Sequence, residues 1–543
     1  MKGGDLLIEC LKAQNVRCVF GMPGTQNIQI YDSLLRCGAG VIDHYPVRHE
    51  YASTIMADGY ARATGEVGVA LTVPGPGASN ASTGLLEAFT DCVPVLLITG
   101  QSESRFYHRH PSKMFHGLDQ MSFFEPITKY CAIARTVEDI PRLVTEAFRA
   151  MRSGRPGPAM LEFPQDVVLG EGEALVPPRV QRAEDGEPDA AAIAWAAQRI
   201  REAERPILLA GSAVISGDAC RELRELAEKL QAPVAVTRLG KGALREDHPL
   251  ALSNIGGFLG TEALNLADCA VAVGCRFTSI DTRQWSLELP SPLIQLDPDE
   301  REIGREYSCE TGIAGDLKTI LRALTEQVKT GGAVAWEPEL QGLRASFKAQ
   351  PLLPLLPEIR EALPDDGILS VDVHGIGYAT FAEYPVLEPR RFLYPCIGVS
   401  LGHAFPAALG AKIAHPDRPV ICFSGDGGFM MGCCELATAM RYGIDVVTIV
   451  VNDGRLTAIK GAQRRACEER TIDTDLSNPD FTALARSFGA WAECVEDLGS
   501  FKGVLEAALA ARRPAVVEVR LQDRSEEEVM GWIGWLRDGP LRE

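Results

Sequence analysis

Two carboxylates toward the carboxyl end of this 543-residue chain have the spacing of a metal site. Asp426, in Gly425-Asp426-Gly427, closes the apolar run 419–424, and Asp453, after Asn452, closes the run 446–451. Each run reads as a buried strand. Residues 428–442 between them, with Glu435, Leu436, Ala437, Ala439 and Met440, read as a helix that Gly443 ends. A strand–helix–strand unit of this length makes its two strands parallel. Asp426 and Asp453 then stand at the carboxyl ends of parallel strands, the edge at which open α/β sheets bind ligands. On neighbouring strands, about 5 Å apart, they call for a divalent cation between them.

The helix that follows Gly427 aims free N–H groups and a positive dipole end at the same place, which suits a phosphate. A dinucleotide fingerprint would need glycine at 425, 427 and 430, and position 430 is Met430. No Gly-Lys-Ser/Thr follows either, so the turn is not a Walker loop. Asp426 would repel a bare pyrophosphate. A hard cation such as Mg²⁺, held by oxygens of Asp426, Asp453, a backbone carbonyl and the ligand's diphosphate, removes the conflict. An isolated Gly-Asp-Gly is more often a solvated turn. Here the second carboxylate, the crossover and the helix start agree.

These residues sit in the last of three α/β blocks, and each block reads as a doubly wound parallel sheet. Residues 1–166 alternate strands and helices, and 167–188, rich in Pro, Glu and Gly, read as a linker. Residues 189–335 form a second α/β block whose clearest strands are 206–212 and 270–274. A second linker is expected over 336–352, then the block 353–525 with the two carboxylates. The tail 526–543 carries Met530, Trp532, Ile533 and Trp535 among charges and reads as a docked amphipathic helix or a lid.

Bulk composition narrows the function classes. Hydrophobic content of 46% and charged content of 23% are those of a globular protein with several cores. Net charge is −19 and no Lys/Arg block stands out, which argues against nucleic acid as a partner. No apolar run approaches the roughly 20 residues of a membrane span. Fifteen scattered cysteines and a start that lacks a signal-peptide core predict a cytoplasmic protein.

Gly425-Asp426-Gly427, the helix with Glu435-Leu436-Ala437-Thr438-Ala439, and Asn452-Asp453 together resemble the thiamine diphosphate motif of the acetolactate synthase-like enzymes, a family of 2-oxo acid decarboxylases, carboligases and lyases. The resemblance extends through Val19-Phe20-Gly21-Met22-Pro23-Gly24, Arg48-His49-Glu50 with Ala57-Asp58-Gly59-Tyr60-Ala61-Arg62, Gly75-Pro76-Gly77 with Asn80, Thr128-Lys129, Gly274-Cys275-Arg276-Phe277 and Pro406-Ala407-Ala408-Leu409-Gly410-Ala411-Lys412. It implies a first block that binds the cofactor's aminopyrimidine ring, a Rossmann-like middle block, and a third block that binds its diphosphate. It also implies active sites between subunits of a homodimer, commonly paired into a homotetramer.

By that resemblance Glu50 hydrogen-bonds the pyrimidine nitrogen and activates the cofactor. Leu401 wedges between its two rings, and backbone atoms of Val399 and Leu401 hold the pyrimidine edge. Pro23, His374, Gly375 and the run Gly425, Asp426, Gly427, Gly428 belong to the cofactor site. The metal ligands are Asp426, Asp453 and the backbone carbonyl of Arg455. Gln26 and His116 fall where relatives keep catalytic pocket residues, and a pocket histidine can relay protons. Asn27, Phe115, Ala458, Ile459 and Ala462 would complete the substrate pocket.

Several positions depart from the family pattern. Asp453 replaces the usual asparagine, a change that hard-cation binding tolerates. Ala462 stands where the biosynthetic synthases carry tryptophan, and Thr278, Ser279 and Ile280 stand where they carry aspartates and arginine. These departures argue against pyruvate self-condensation and against a relic FAD. The expected activity is therefore thiamine diphosphate- and Mg²⁺-dependent cleavage or formation of a C–C bond beside a carbonyl, chiefly decarboxylation of a 2-oxo acid with carboligation. An acyloin lyase or diketone hydrolase is the nearest alternative. A catalytically silent cofactor-binding homologue would lack Glu50 or a metal carboxylate, and all three acids are present. A flavin-dependent oxidase of the same fold is a further reading.

Overall fold

The computed structural model describes residues 1–181, 188–328, 336–347, 355–522 and 524. The tail 526–543 lies outside the described residues. Eighteen strands form three six-stranded sheets. The first holds β1 (Cys18–Gly21), β2 (Asp43–Pro46), β3 (Gly68–Thr72), β4 (Val95–Gln101), β5 (Tyr130–Ile133) and β6 (Ala159–Pro164) in the order β2-β1-β3-β4-β6-β5. The second holds β7 (Pro206–Ala210), β8 (Val234–Val236), β9 (Ala251–Asn254), β10 (Cys269–Val273), β11 (Leu293–Asp297) and β12 (Thr311–Ala314) in the order β12-β11-β10-β7-β8-β9. That order is the Rossmann arrangement, as the family resemblance implies for the middle block. The third holds β13 (Ile368–Val371), β14 (Phe392–Leu393), β15 (Val420–Gly425), β16 (Val446–Asn452), β17 (Trp491–Val495) and β18 (Ala515–Arg520) in the order β14-β13-β15-β16-β18-β17. Its strand order repeats that of the first sheet position for position.

The strands are apolar without alternation because helices cover both faces of a parallel sheet. Every residue of β15 and β16 is buried, and the two pair in parallel register from Val420↔Val446 to Gly425↔Val451. The predicted strand pair is therefore present and adjacent.

The chain divides into two compact units. One contains the central sheet. The other contains the first and third sheets, joined by a single hydrophobic core. Helix Glu50–Thr64 lies against helix Ala404–Ala414 in that core. A Cβ at Gly59 would stand 2.1 Å from the Ala407 carbonyl oxygen, and one at Gly410 2.0 Å from that of Met56. The two backbones therefore approach as closely as they do because glycine faces each of them. Asp58 accepts from Arg62 at 2.6 Å and pairs with His403 at 3.0 Å. Arg62 also reaches Asp91 at 2.9 Å. Two family motifs that lie some 350 residues apart in the chain are thus one contact.

Two expectations fail. Residues 428–442 are not one helix: helix Asp426–Gly432 gives way to a 3₁₀ turn at Cys433–Glu435 before helix Leu436–Tyr442. Gly427, Gly428 and Gly432 weaken the helix, and Glu435 turns its carboxylate inward to accept the backbone N–H groups of Arg48 at 2.8 Å and His49 at 3.1 Å. Residues 337–347, expected within a linker, form a helix. Trp336 and Leu340 are buried in the central core, and the Trp336 indole donates to the Pro206 carbonyl at 3.1 Å.

Candidate active site

The carboxyl ends of β15 and β16 bring the two acids together. Asp426 begins its helix, and its Oδ1 accepts from the Gly427 N–H at 2.8 Å. Its Oδ2 accepts from the Gly454 N–H at 2.9 Å and from Asn478 Nδ2 at 2.6 Å. Asp453 accepts from the Thr457 hydroxyl and from the Arg455 N–H. Burial, and then the charge of Asp453, push the Asp426 carboxyl up to about 6. Burial raises the Asp453 carboxyl as well. Two buried acids side by side are costly as a bare pair and become favourable once a cation lies between them.

Beside them, at the topological switch between β13 and β15, stand Asp372 and His374. Asp372 is buried and accepts the N–H groups of Val373 (2.7 Å), Gly402 (3.1 Å) and Ala404 (3.2 Å), which ties the segment containing Leu401 to the sheet edge. The His374 ring meets Phe423 edge-on at 4.9 Å. Burial pushes its imidazole down to about 3, so it is neutral, and its Nε2 is enclosed with no partner among the described residues. Gly375 follows it directly. A Cβ at Gly425 would stand 2.8 Å from that of His374, so the glycine keeps the space beside the ring open.

Val399 holds φ +51. A β-branched residue in the left-handed region costs about 1–3 kcal/mol and persists where its surroundings impose it, typically at a ligand clamp. Leu401, expected between the cofactor's rings, is half-exposed, and the backbone N–H groups of Gly402 and Ala404 carry the contacts to Asp372.

Glu50 opens its helix at the carboxyl edge of the first sheet, where the helix dipole favours a carboxylate. Asn80 Nδ2 donates to its Oε2 at 3.1 Å. A Cβ at Gly77 would come within 3.4 Å of its Oε1. Glu435 fixes the residues just before it, and the Tyr51 hydroxyl just after it donates to the Gly402 carbonyl. The third sheet therefore sets the position of Glu50.

The remaining predicted residues fall into three groups. Gln26 is 4% exposed, and its Oε1 has no partner among the described residues. Phe115, 64% exposed, stacks on His116 at 4.0 Å, and the His116 Nδ1 is likewise buried without a partner. Gly75, at φ +63, packs on the His116 backbone, so His116 is linked to Glu50 through the Gly75–Gly77 turn. Asn27 is spent on its own turn: it accepts the Gly24 N–H at 2.8 Å and donates to the Met22 carbonyl at 3.2 Å. Pro23 lies exposed in the same turn. Ala458, Ile459 and Ala462 share an exposed face of helix Thr457–Ala466, and Ile459 is 54% exposed. They do not meet Gln26 or His116 within the chain.

Sequence reasoning missed Asp372, Thr457, Glu435 and Asn478. Asp372 ends a strand as Asp426 and Asp453 do, which was a usable signal. Asn478 comes from a distant loop and carries none.

Three family models cover the chain: the N-terminal binding domain of thiamine pyrophosphate enzymes over residues 1–123, their central domain over 193–324, and their C-terminal binding domain over 375–519. An acetolactate synthase of Arthrospira platensis is 34% identical over 96% of this chain and 94% of its own length. A probable acetolactate synthase large subunit of Methanocaldococcus jannaschii is 34% identical over 96% and 92%. The acetolactate synthase isozyme 2 large subunit of Escherichia coli K12 is 31% identical over 96% of both.

Proposed function

As the chain belongs to the acetolactate synthase-like thiamine pyrophosphate enzymes, we propose that it decarboxylates a 2-oxo acid and joins the remaining carbon unit to an acceptor carbonyl, with Mg²⁺ as its metal. The observation that carries this reading is the pairing of Asp426 and Asp453 at the ends of adjacent strands. The residues present fit the cofactor's charged end. Among the described residues no three His, Cys, Asp or Glu side chains converge on one point. The cation would therefore be held by two carboxylates, the Arg455 carbonyl and the diphosphate itself. The enclosed, partnerless Nε2 of His374 and the space kept by Gly425 and Gly428 suit the diphosphate oxygens.

Thiamine diphosphate, when bound, supplies the electron sink for breaking a bond beside a carbonyl. Glu50 would hold the proton shared with the pyrimidine nitrogen, steadied by Asn80. The strained backbone at Val399 would present fixed polar groups to the pyrimidine edge, and Leu401 would fill the space between the rings. Gln26 and His116 would orient the substrate carbonyl and move a proton to or from it. In this reading residues 1–166 hold the pyrimidine and 353–525 the diphosphate. The exposed face of Ala458, Ile459 and Ala462 would complete the pocket against the first block of a second subunit, in a homodimer or dimer of dimers.

Proton NMR of the purified protein with thiamine diphosphate, Mg²⁺ and a panel of 2-oxo acids and acyloins tests this reading, with Glu50→Gln alongside. An aldehyde or acyloin that the variant forms far more slowly supports it. A protein that binds the cofactor and converts no donor in the panel counts against it.

A further inference from the structure

The carboxyl edge of the first sheet carries a cavity of about 680 Å³, walled by the loops after β1, β4 and β6. Gln26, Phe115, His108, Arg109, His110 and Lys113 face it. The only acid in the wall, Glu103, is paired with Arg105 at 2.6 Å. Arg109 and Lys113 have no acid partner among the described residues. In a chain of 73 acidic and 54 basic residues, unpaired cations gathered at one concave surface stand out. They make this concave surface locally basic in a chain whose net charge is −19.

The wall is built rather than loose. Ser104 donates its N–H to Asp166 Oδ1 at 2.9 Å and its hydroxyl to the other oxygen. The Tyr107 hydroxyl donates to Glu162 at 3.4 Å, and Gln165 Nε2 donates to the Thr25 carbonyl at 3.0 Å. The bonds of Ser104 and Tyr107 fasten the segment to β6 and the residues just after it, and Gln165 joins those residues to the β1 loop, while Arg109 and Lys113 keep no acid partner among the described residues. The cavity also lies close to Glu50: Phe115 stacks on His116, His116 abuts Gly75, and Gly77 abuts Glu50. A concave site of this size suits a small molecule.

We propose that this cavity is an anion subsite for the substrate, so that the 2-oxo acid carries a second anionic group, a carboxylate, phosphonate or sulfonate, on its side chain. The proposal rests on the function proposed above. Arg109 and Lys113 bind that group by charge-assisted hydrogen bonds, and the buried Gln26 lines the same cavity.

The test is calorimetric titration of the holoenzyme with two unreactive probes, 3-phosphonopropionate and propionate. Turnover of phosphonopyruvate, sulfopyruvate, 2-oxoglutarate and pyruvate is measured in parallel to separate the three anions. The phosphonate probe is expected to bind about tenfold tighter or more. Arg109→Gln/Lys113→Gln should erase that preference without moving the thermal midpoint. Equal binding of the two probes, or a preference that survives the double variant, overturns the subsite. A preference lost in the double variant, with no 2-oxo acid converted, upholds the subsite and overturns the proposed function. Conversion of pyruvate with no anion preference does the reverse.

Discussion

The first and third sheets share one strand order and differ in what their loops carry. After its second strand the first sheet places Glu50; the third places the loop with Val399 and Leu401. After the third strand the first sheet has the Gly75–Gly77 turn, and the third has Asp426. After the fourth strand the first sheet has the cationic segment 102–116, and the third has Asp453 with the apolar face of Ala458 and Ile459. In the proposed reading the same frame offers one edge to a ring and an anionic substrate, and another to a cation and a diphosphate. The strands supply an edge where loops converge, and the loop residues decide the chemistry. The two edges are not independent. Glu435, from the third sheet's side, fixes the backbone just before Glu50, and helices Glu50–Thr64 and Ala404–Ala414 share one core.

The sharpest way to separate the two edges is to break each alone. Glu50→Gln should lower kcat by about 10²–10⁴-fold while cofactor affinity, read by fluorescence titration, stays within a few-fold. Loss of affinity equal to the loss of rate would mean that the first edge only binds. Asp426→Asn should do the opposite: cofactor affinity at fixed Mg²⁺ falls about a hundredfold, and saturating cofactor restores much of the rate. A smaller effect is set by His44, on β2. Burial, then the charge of Arg441, push its imidazole from 6.5 down to about 4. Its folded value lies below its unfolded one, so the unfolded chain binds the extra proton first. Stability should therefore fall as pH drops from about 6.5 to about 4, by about 1–3 kcal/mol from this group. Thermal midpoints against pH for the protein and His44→Gln measure it, and identical slopes would remove His44 as the cause. The smallest effect belongs to the third sheet's loop. Val399→Gly should relieve the left-handed strain and stabilise the fold by about 1 kcal/mol while weakening cofactor binding. A variant that is less stable in a calorimetric scan would show that the Val399 side chain contributes more than its backbone costs.

Much of this was legible in the residues. The apolar runs that end at Asp426 and Asp453 identify two buried parallel strands, because strands covered on both faces carry no alternation. The same signal marks the central α/β block, while its Rossmann-like character follows from the family resemblance. The broken helix after Asp426 was not legible. Its cause is the buried carboxylate of Glu435, whose partners lie 387 and 386 residues away. Trp336 was read as linker because its burial depends on the Pro206 strand and not on its neighbours.

The sequence by itself determined the types of strand, the positions of the acids at their ends and the membership of the family, since these depend on local pattern and fixed spacing. Only the tertiary structure decided that Ala57–Arg62 and Pro406–Lys412 are one contact, that Asn478 and Thr457 steady the acid pair, and that Arg109 and Lys113 line one cavity with no acid partner among the described residues. Those facts concern groups brought together across long stretches of chain. Local pattern cannot specify them, because the bond that forms depends on which loops the shared sheet edge gathers.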